Sequence, residues 1–198
     1  MEKGREKELG LFCCRAGDWE RIMHIGEIMT ADSANGVGIR LTLFVSGCLN
    51  HCPGCFQPQT WDFEYGQPYT EEMENRILEE LEKPYYDGLT LLGGDPMECS
   101  NQKALLPLVK RVRSRLPQKS IWAYTGYVYE KDLIPGGKRY TEGVTDSLLD
   151  LIDILVDGPF VEARKKITLN FRGSENQRII DLKATRQSGR IVLSPLNN

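Results

Sequence analysis

The stretch Leu41–Cys55, LTLFVSGCLNHCPGC, runs an apolar segment straight into three cysteines. Leu41–Val45 is nearly continuous in hydrophobicity, as a strand covered on both faces should be. Gly47 ends the run, and Cys48, Cys52 and Cys55 follow at the spacing C-x3-C-x2-C. Three further runs have the same character: Leu89–Leu92 (LTLL), Ile121–Tyr124 (IWAY) and Ile154–Val156 (ILV). Each is also followed by unusual loop residues. These are Gly93-Gly94-Asp95-Pro96, Thr125-Gly126 and Asp157-Gly158-Pro159-Phe160.

Helical patterns separate the runs. Met73, Ile77, Leu78 and Leu81 share one face of Glu71–Lys83, with Thr70 as N-cap. Leu105, Leu108, Val109, Val112 and Leu116 share a face of the next helix, where Pro107 predicts a late start or a bend. A shorter pattern covers Asp146–Leu151. Strand–helix alternation predicts an α/β fold with a parallel sheet, here an incomplete parallel (β/α) barrel open on one side. All four special loops then lie at carboxyl ends of parallel strands, on the rim where such folds hold ligands. Past Phe160, Leu169–Phe171, Ile179–Leu182 and Arg190–Leu193 read as short strands of an edge hairpin.

Composition sets the context. The chain has 198 residues, 40% hydrophobic and 27% charged, about one domain's worth. A net charge of −3 gives no electrostatic case for nucleic acid or an acidic membrane surface. No stretch approaches the ~20 apolar residues of a membrane span, and the amino-terminal segment lacks a signal-peptide run. The expected compartment is the cytoplasm, where cysteines stay reduced. A cysteine cluster there points to metal or redox chemistry.

Three chemistries fit three thiols in one loop. A structural zinc site needs four ligands, normally as two separated pairs, and no second pair follows. Cys52-Pro53-Gly54-Cys55 has the form of a redox C-x-x-C, but Pro58 and the third cysteine argue against the helix such a motif opens. The remaining reading is three thiolates around a 4Fe–4S cluster, which leaves one iron open to a substrate.

The C-x3-C-x2-C spacing after a first strand resembles the radical S-adenosylmethionine superfamily. The series Asn35-Gly36-Val37-Gly38-Ile39-Arg40, TLFVSGC, CPGC, Gln59-Thr60-Trp61, Gly93-Gly94-Asp95-Pro96, Trp122 with Thr125-Gly126-Tyr127, Leu155-Val156-Asp157-Gly158 and Phe171-Arg172-Gly173-Ser174 is more specific. In that order it resembles the activating proteins of anaerobic ribonucleotide reductases, from Met23 to about Asp181. The resemblance implies a radical S-adenosylmethionine barrel over 23–198, with residues 1–22 as an extension expected to be disordered. It implies one 4Fe–4S cluster on Cys48, Cys52 and Cys55, with S-adenosyl-L-methionine held by its amino and carboxylate groups on the open iron. Reductive cleavage there yields a 5′-deoxyadenosyl radical that removes a glycine α-hydrogen from the anaerobic ribonucleoside-triphosphate reductase.

The same resemblance distributes further roles. Gly93 and Gly94 admit close backbone approach and the Gly93–Asp95 loop accepts from the methionine amino group. Gly54, Cys55 and Phe56 meet the adenine, although many superfamily members carry their aromatic before the last cysteine. Thr125 and Asp157 point from strand ends toward the ribose, the carboxylate or a counter-ion; a turn-forming Asp-Gly explains Asp157 equally well. No side chain beyond the cluster ligands is assigned a catalytic role. Arg40 is a solvated strand charge or a partner-facing one. Cys13 and Cys14 have no assigned role, and Cys99 is a small apolar residue or a redox-sensitive thiol. A flavodoxin- or ferredoxin-type protein is the implied electron donor. Alternatives are an activator of another glycyl radical enzyme, of the pyruvate formate-lyase type, and a non-catalytic iron–sulfur or zinc module. The first often carries extra cysteines for further clusters, and the second has no need of the later rim loops.

Overall fold

The computed structural model describes residues 21–197. The expected extension at 1–22, with Cys13 and Cys14, lies almost wholly outside them. In chain order the elements are β1 (His24–Asp32), β2 (Arg40–Val45), β3 (Gln67–Pro68), α1 (Glu71–Leu81), β4 (Gly88–Gly93), α2 (Cys99–Arg115) and β5 (Ser120–Tyr124). Then come α3 (Tyr129–Asp132), α4 (Thr145–Leu149), β6 (Ile154–Asp157), β7 (Arg178–Asp181) and α5 (Leu182–Ser188). The strands form one mixed sheet in the order β3-β1-β2-β4-β5-β6-β7.

The sheet is parallel only in its middle. β2, β4, β5 and β6 run parallel, whereas β1, β3 and β7 pair antiparallel at the two sides. Connection length explains this. Residues 33–39 between β1 and β2 are too few for a parallel crossover, which needs a dozen or more. The link 158–177 carries only a short 3-10 turn at Glu162–Arg164 and returns antiparallel. Leu169–Phe171 is not a strand: Phe171 has φ 49°, a left-handed value no strand continues. The segment at 190–193 contributes one isolated antiparallel bridge, Leu193 to Ile180.

Residues alternate between two faces of the parallel strip. Leu41, Leu43, Leu89, Leu91, Ile121, Ala123 and Leu155 are fully buried in the main core with Ile77, Leu78 and Leu81 of α1 and Leu105, Leu108, Val109 and Val112 of α2. Thr70 caps α1 by accepting from the Met73 amide at 3.2 Å. α2 starts at Cys99 and continues through Pro107, which is exposed, so the missing helical bond faces water. The opposite face carries Arg40, Thr42, Phe44, Thr90, Trp122 and Tyr124, and a smaller cluster of Trp122, Val156 and Ile179 packed with Tyr124 and Phe171.

Arg40 is neither solvated nor partner-facing. It is fully buried on this second face. Its guanidinium donates to Thr90 Oγ1 (2.5 Å), Val37 O (3.1 Å), Ser120 Oγ (3.0 Å), Leu89 O (2.7 Å) and Ser120 O (3.0 Å). Five N–H groups thus find five acceptors, tying the amino ends of β2, β4 and β5 together. Burial brings its pKa down to about 10, so it stays charged at neutral pH.

Candidate functional site

The carboxyl ends of the parallel strands share one rim, as Val45 pairs with Gly93 in register. β2 leaves the sheet through Ser46 and Gly47. Gly47 is at φ 95°, and a Cβ there would stand 2.2 Å from the Phe63 ring, so only glycine fits this turn. The Gly47 amide donates to Thr60 O at 2.8 Å and the Cys48 amide to Trp61 O at 3.2 Å, closing the base of the loop. A turn from Cys52 O to the Cys55 amide, 3.1 Å, brings the last two cysteines to one side.

Cys48 is buried, Cys52 and Cys55 are half-buried, and all three are free thiols. They line one cavity of about 630 Å³ together with Phe56, Gly93, Gly94, Asp95, Thr125 and Gly126. Eight of the ten expected site residues therefore meet. Gly54 and Asp157 do not line it, although Gly158 does. Asp157 is fully buried and points elsewhere, accepting from Arg178 Nε (2.9 Å), Arg178 Nη2 (2.5 Å) and the Tyr129 amide (2.9 Å).

Gly93 and Gly94 serve the protein's own backbone. A Cβ on Gly94 would lie 2.5 Å from Gly47 O and 2.8 Å from Thr60 O, and one on Gly93 would lie 2.6 Å from Val45 O. Their lack of side chains lets the Gly93–Asp95 loop pack flat on the cysteine loop, where the Asp95 amide donates to Gly47 O at 2.8 Å.

Below the loops lies a polar layer that the sequence reading did not anticipate. Asp95 accepts from Thr125 Oγ1 (2.8 Å), the Gly126 amide (2.9 Å), the Met97 amide (2.9 Å) and Asn50 Nδ2 (3.0 Å). It thereby ties the loops after β2, β4 and β5 into one block. Burial, reinforced by the nearby Glu98 charge, pushes its carboxyl up to about 7. Glu98 accepts from the Leu49 amide (2.8 Å) and Tyr127 Oη (2.5 Å), and pairs with Arg139 at 3.1 Å. Asn101 Nδ2 donates to Ser46 O and Asp95 O, both at 2.9 Å. Glu98 and Asn101 look like ordinary helix-start polar residues in sequence; only burial at 3% and 0% marks them.

Burial pushes Cys48 up to about 12 and raises Cys52 as well. A redox C-x-x-C works through a lowered thiol pKa, whereas burial moves Cys52 the other way. Among the described residues no group of three or more His, Cys, Asp or Glu is drawn together around one point. Cys99, buried at the start of α2, does not line the cavity and supplies no fourth ligand there. The Trp61 indole N–H, buried without a partner on the same cavity wall, offers a donor to a sulfur acceptor. The residues present fit a cluster held by three cysteines.

Known proteins resemble this chain in sequence over most of its length. A family model described as a 4Fe-4S single cluster domain matches residues 34–180. An anaerobic ribonucleoside-triphosphate reductase-activating protein of Salmonella typhimurium is 39% identical over 163 residues, covering 81% of this chain and all of its own length. Its namesake in Escherichia coli is likewise 39% identical over 163 residues, with the same coverage. That of Vibrio cholerae is 40% identical over 159 residues, 79% of this chain and 97% of its own.

Proposed function

The chain belongs to the family of anaerobic ribonucleoside-triphosphate reductase-activating proteins, and from that premise we propose that it converts its partner reductase to the glycyl radical form with S-adenosyl-L-methionine as co-substrate. The observation that carries this reading is the opening of three free cysteines and the Gly93–Asp95 loop on one cavity. When bound, a 4Fe–4S cluster supplies the electron that breaks the C5′–S bond of S-adenosyl-L-methionine, and the resulting deoxyadenosyl group takes the glycine α-hydrogen.

The chain's own residues do the rest. Cys48, Cys52 and Cys55 would hold the cluster, and among the described residues no further cysteine lines the cavity to take its fourth iron. The backbone of Gly93 and Gly94 accepts from the methionine amino group. Asp95 acts mainly through its bonds to Asn50, Thr125 and Gly126, which fix the cysteine loop against the neighbouring strand ends. Phe56, 68% exposed and 5.6 Å from the Phe160 ring, stands at the mouth where an adenine can pack. Gly54 shapes the Cys52–Cys55 turn with its φ of 73°. The parallel strip is read as a shortened radical S-adenosylmethionine barrel whose missing wall the reductase completes, because a reactive radical must be kept from water. Among the described residues no helix is long and apolar enough to cross a membrane. The cytoplasm, and a flavodoxin- or ferredoxin-type donor, suit free thiols and a reducible cluster.

The test is anaerobic mixing of the reduced protein, S-adenosyl-L-methionine and the reductase of the same organism, read by electron paramagnetic resonance. A glycyl radical on the reductase, with 5′-deoxyadenosine formed alongside, is the expected result. Cleavage of S-adenosyl-L-methionine with no radical on the reductase overturns the reading.

A further inference from the structure

Each thiol of the cysteine loop has an N–H group at its sulfur. The Gln57 amide donates to Cys55 Sγ at 3.4 Å. The Phe160 amide, from the loop after β6, is hydrogen-bonded to Cys52. Cys48 is hydrogen-bonded to both the backbone amide and the side chain of Asn50. The main-chain donors are fixed by the fold. The Asn50 carboxamide is a side-chain donor, and so depends on the residue the sequence places there.

The surroundings hold that carboxamide in place. Asn50 lines the cavity, and its Nδ2 donates to Asp95 Oδ2 at 3.0 Å. It also lies against Gly126, where a Cβ would stand 2.5 Å from Nδ2. Gly126 must therefore stay bare for Asn50 to lie between the loops after β4 and β5. A primary amide carries two N–H groups. With one committed to Asp95, the other serves Cys48. The carboxamide thus links a buried sulfur to a buried carboxyl. The acidic side chains of Asp95 and Glu98 act on that sulfur in the opposite sense, disfavouring negative charge there.

We propose that Asn50 sets the reduction potential of the cluster, its side-chain N–H stabilising the negative charge that reaches the Cys48 thiolate on one-electron reduction. The electron comes from the external reductant and takes the cluster core from the 2+ to the 1+ state, with no proton required. The proposal rests on the cluster reading of the three cysteines. Hydrogen bonds to the sulfurs are one of the levers that set such a potential, and a donor behind a ligand also fixes its orientation. Burial of Cys48 strengthens the effect, because water does not screen the bond. Asn50 is a positioning residue that acts through Cys48.

Asn50→Leu removes both donors at nearly constant shape and tests this. After reconstitution with iron and sulfide the variant should keep the wild-type iron content. Its cluster, titrated against a graded potential without S-adenosyl-L-methionine and read by electron paramagnetic resonance, should be roughly 10-fold harder to reduce, a shift of about 59 mV to more negative potential. Affinity of the oxidised protein for S-adenosyl-L-methionine should be unchanged. Full iron content with an unshifted potential overturns the proposal. So does a loss of iron in which the clusters that do form keep the wild-type potential, since that is a structural role alone. A second measurement needs no variant. Wild-type protein labelled with nitrogen-15 in its asparagine side chains should show nitrogen-15 hyperfine coupling to the reduced cluster in pulsed electron paramagnetic resonance. Absence of that coupling, or its persistence in Asn50→Leu, overturns the proposal. If wild-type protein takes up no iron, the cluster reading itself fails, a result visible before either comparison.

Discussion

Alternate residues of the same strands build two unlike faces. Leu41, Leu43, Leu89, Leu91 and Ile121 turn toward α1 and α2 in a wholly apolar core. Arg40, Thr42, Phe44, Thr90, Trp122 and Tyr124 turn the other way, with three fully buried polar side chains among them and a cavity above. The first face is closed by helices. The second is closed near its amino end by Arg40 and left open at the rim. Stability and function are therefore separated by a shift of one residue along each strand, and substitutions on the two faces should fail in different assays.

The largest effect should come at the rim. Cys48→Ala, Cys52→Ala or Cys55→Ala should each abolish cluster binding, since two thiolates do not hold the cube against solvent. Cys13→Ala, Cys14→Ala and Cys99→Ala should keep the iron. Iron and sulfide analysis after anaerobic reconstitution decides this, and loss of iron in one of the last three would mean the wrong ligands were chosen. Next, Leu91→Ala on the helix-covered face should cost about 2–5 kcal/mol in urea unfolding of the cluster-free protein. Iron per folded chain should stay unchanged; a Leu91→Ala protein that folds with full stability but takes up no iron would break the separation of the faces. The smallest effect belongs to Asp157→Asn. Its carboxylate is committed to Arg178 and the Tyr129 amide, so about 1–3 kcal/mol of stability should be lost with S-adenosyl-L-methionine affinity intact. Weaker affinity at unchanged stability would put Asp157 on the cofactor after all.

The helix-covered face was legible in sequence. Four continuous apolar runs gave β2, β4, β5 and β6, and Thr70 with Met73, Ile77, Leu78 and Leu81 gave α1 to within two residues of its end. β1 was missed because Gly26, Glu27 and two register shifts against β2 break any simple period. The cysteines and the Gly93–Asp95 loop stood out by residue type and spacing. Their supports did not: Asn50, Glu98 and Asn101 act through burial and long-range contacts that no local pattern carries. Arg40 was misread for the same reason, since a charge opening a strand reads as exposed until the turn at residues 33–39 is seen to cover it. Gly94 also has a packing reason that the sequence did not show, since a Cβ there would meet the carbonyls of Gly47 and Thr60.

The central claim is a cluster with three protein ligands and one iron left for the co-substrate. Mössbauer spectroscopy of the iron-57-reconstituted protein, with and without S-adenosyl-L-methionine, tests it most directly. The account predicts that addition makes one iron of the cube spectroscopically distinct from the other three. Four irons that remain unchanged on addition would show a cluster closed by a further ligand, and the proposed chemistry would have no place to occur.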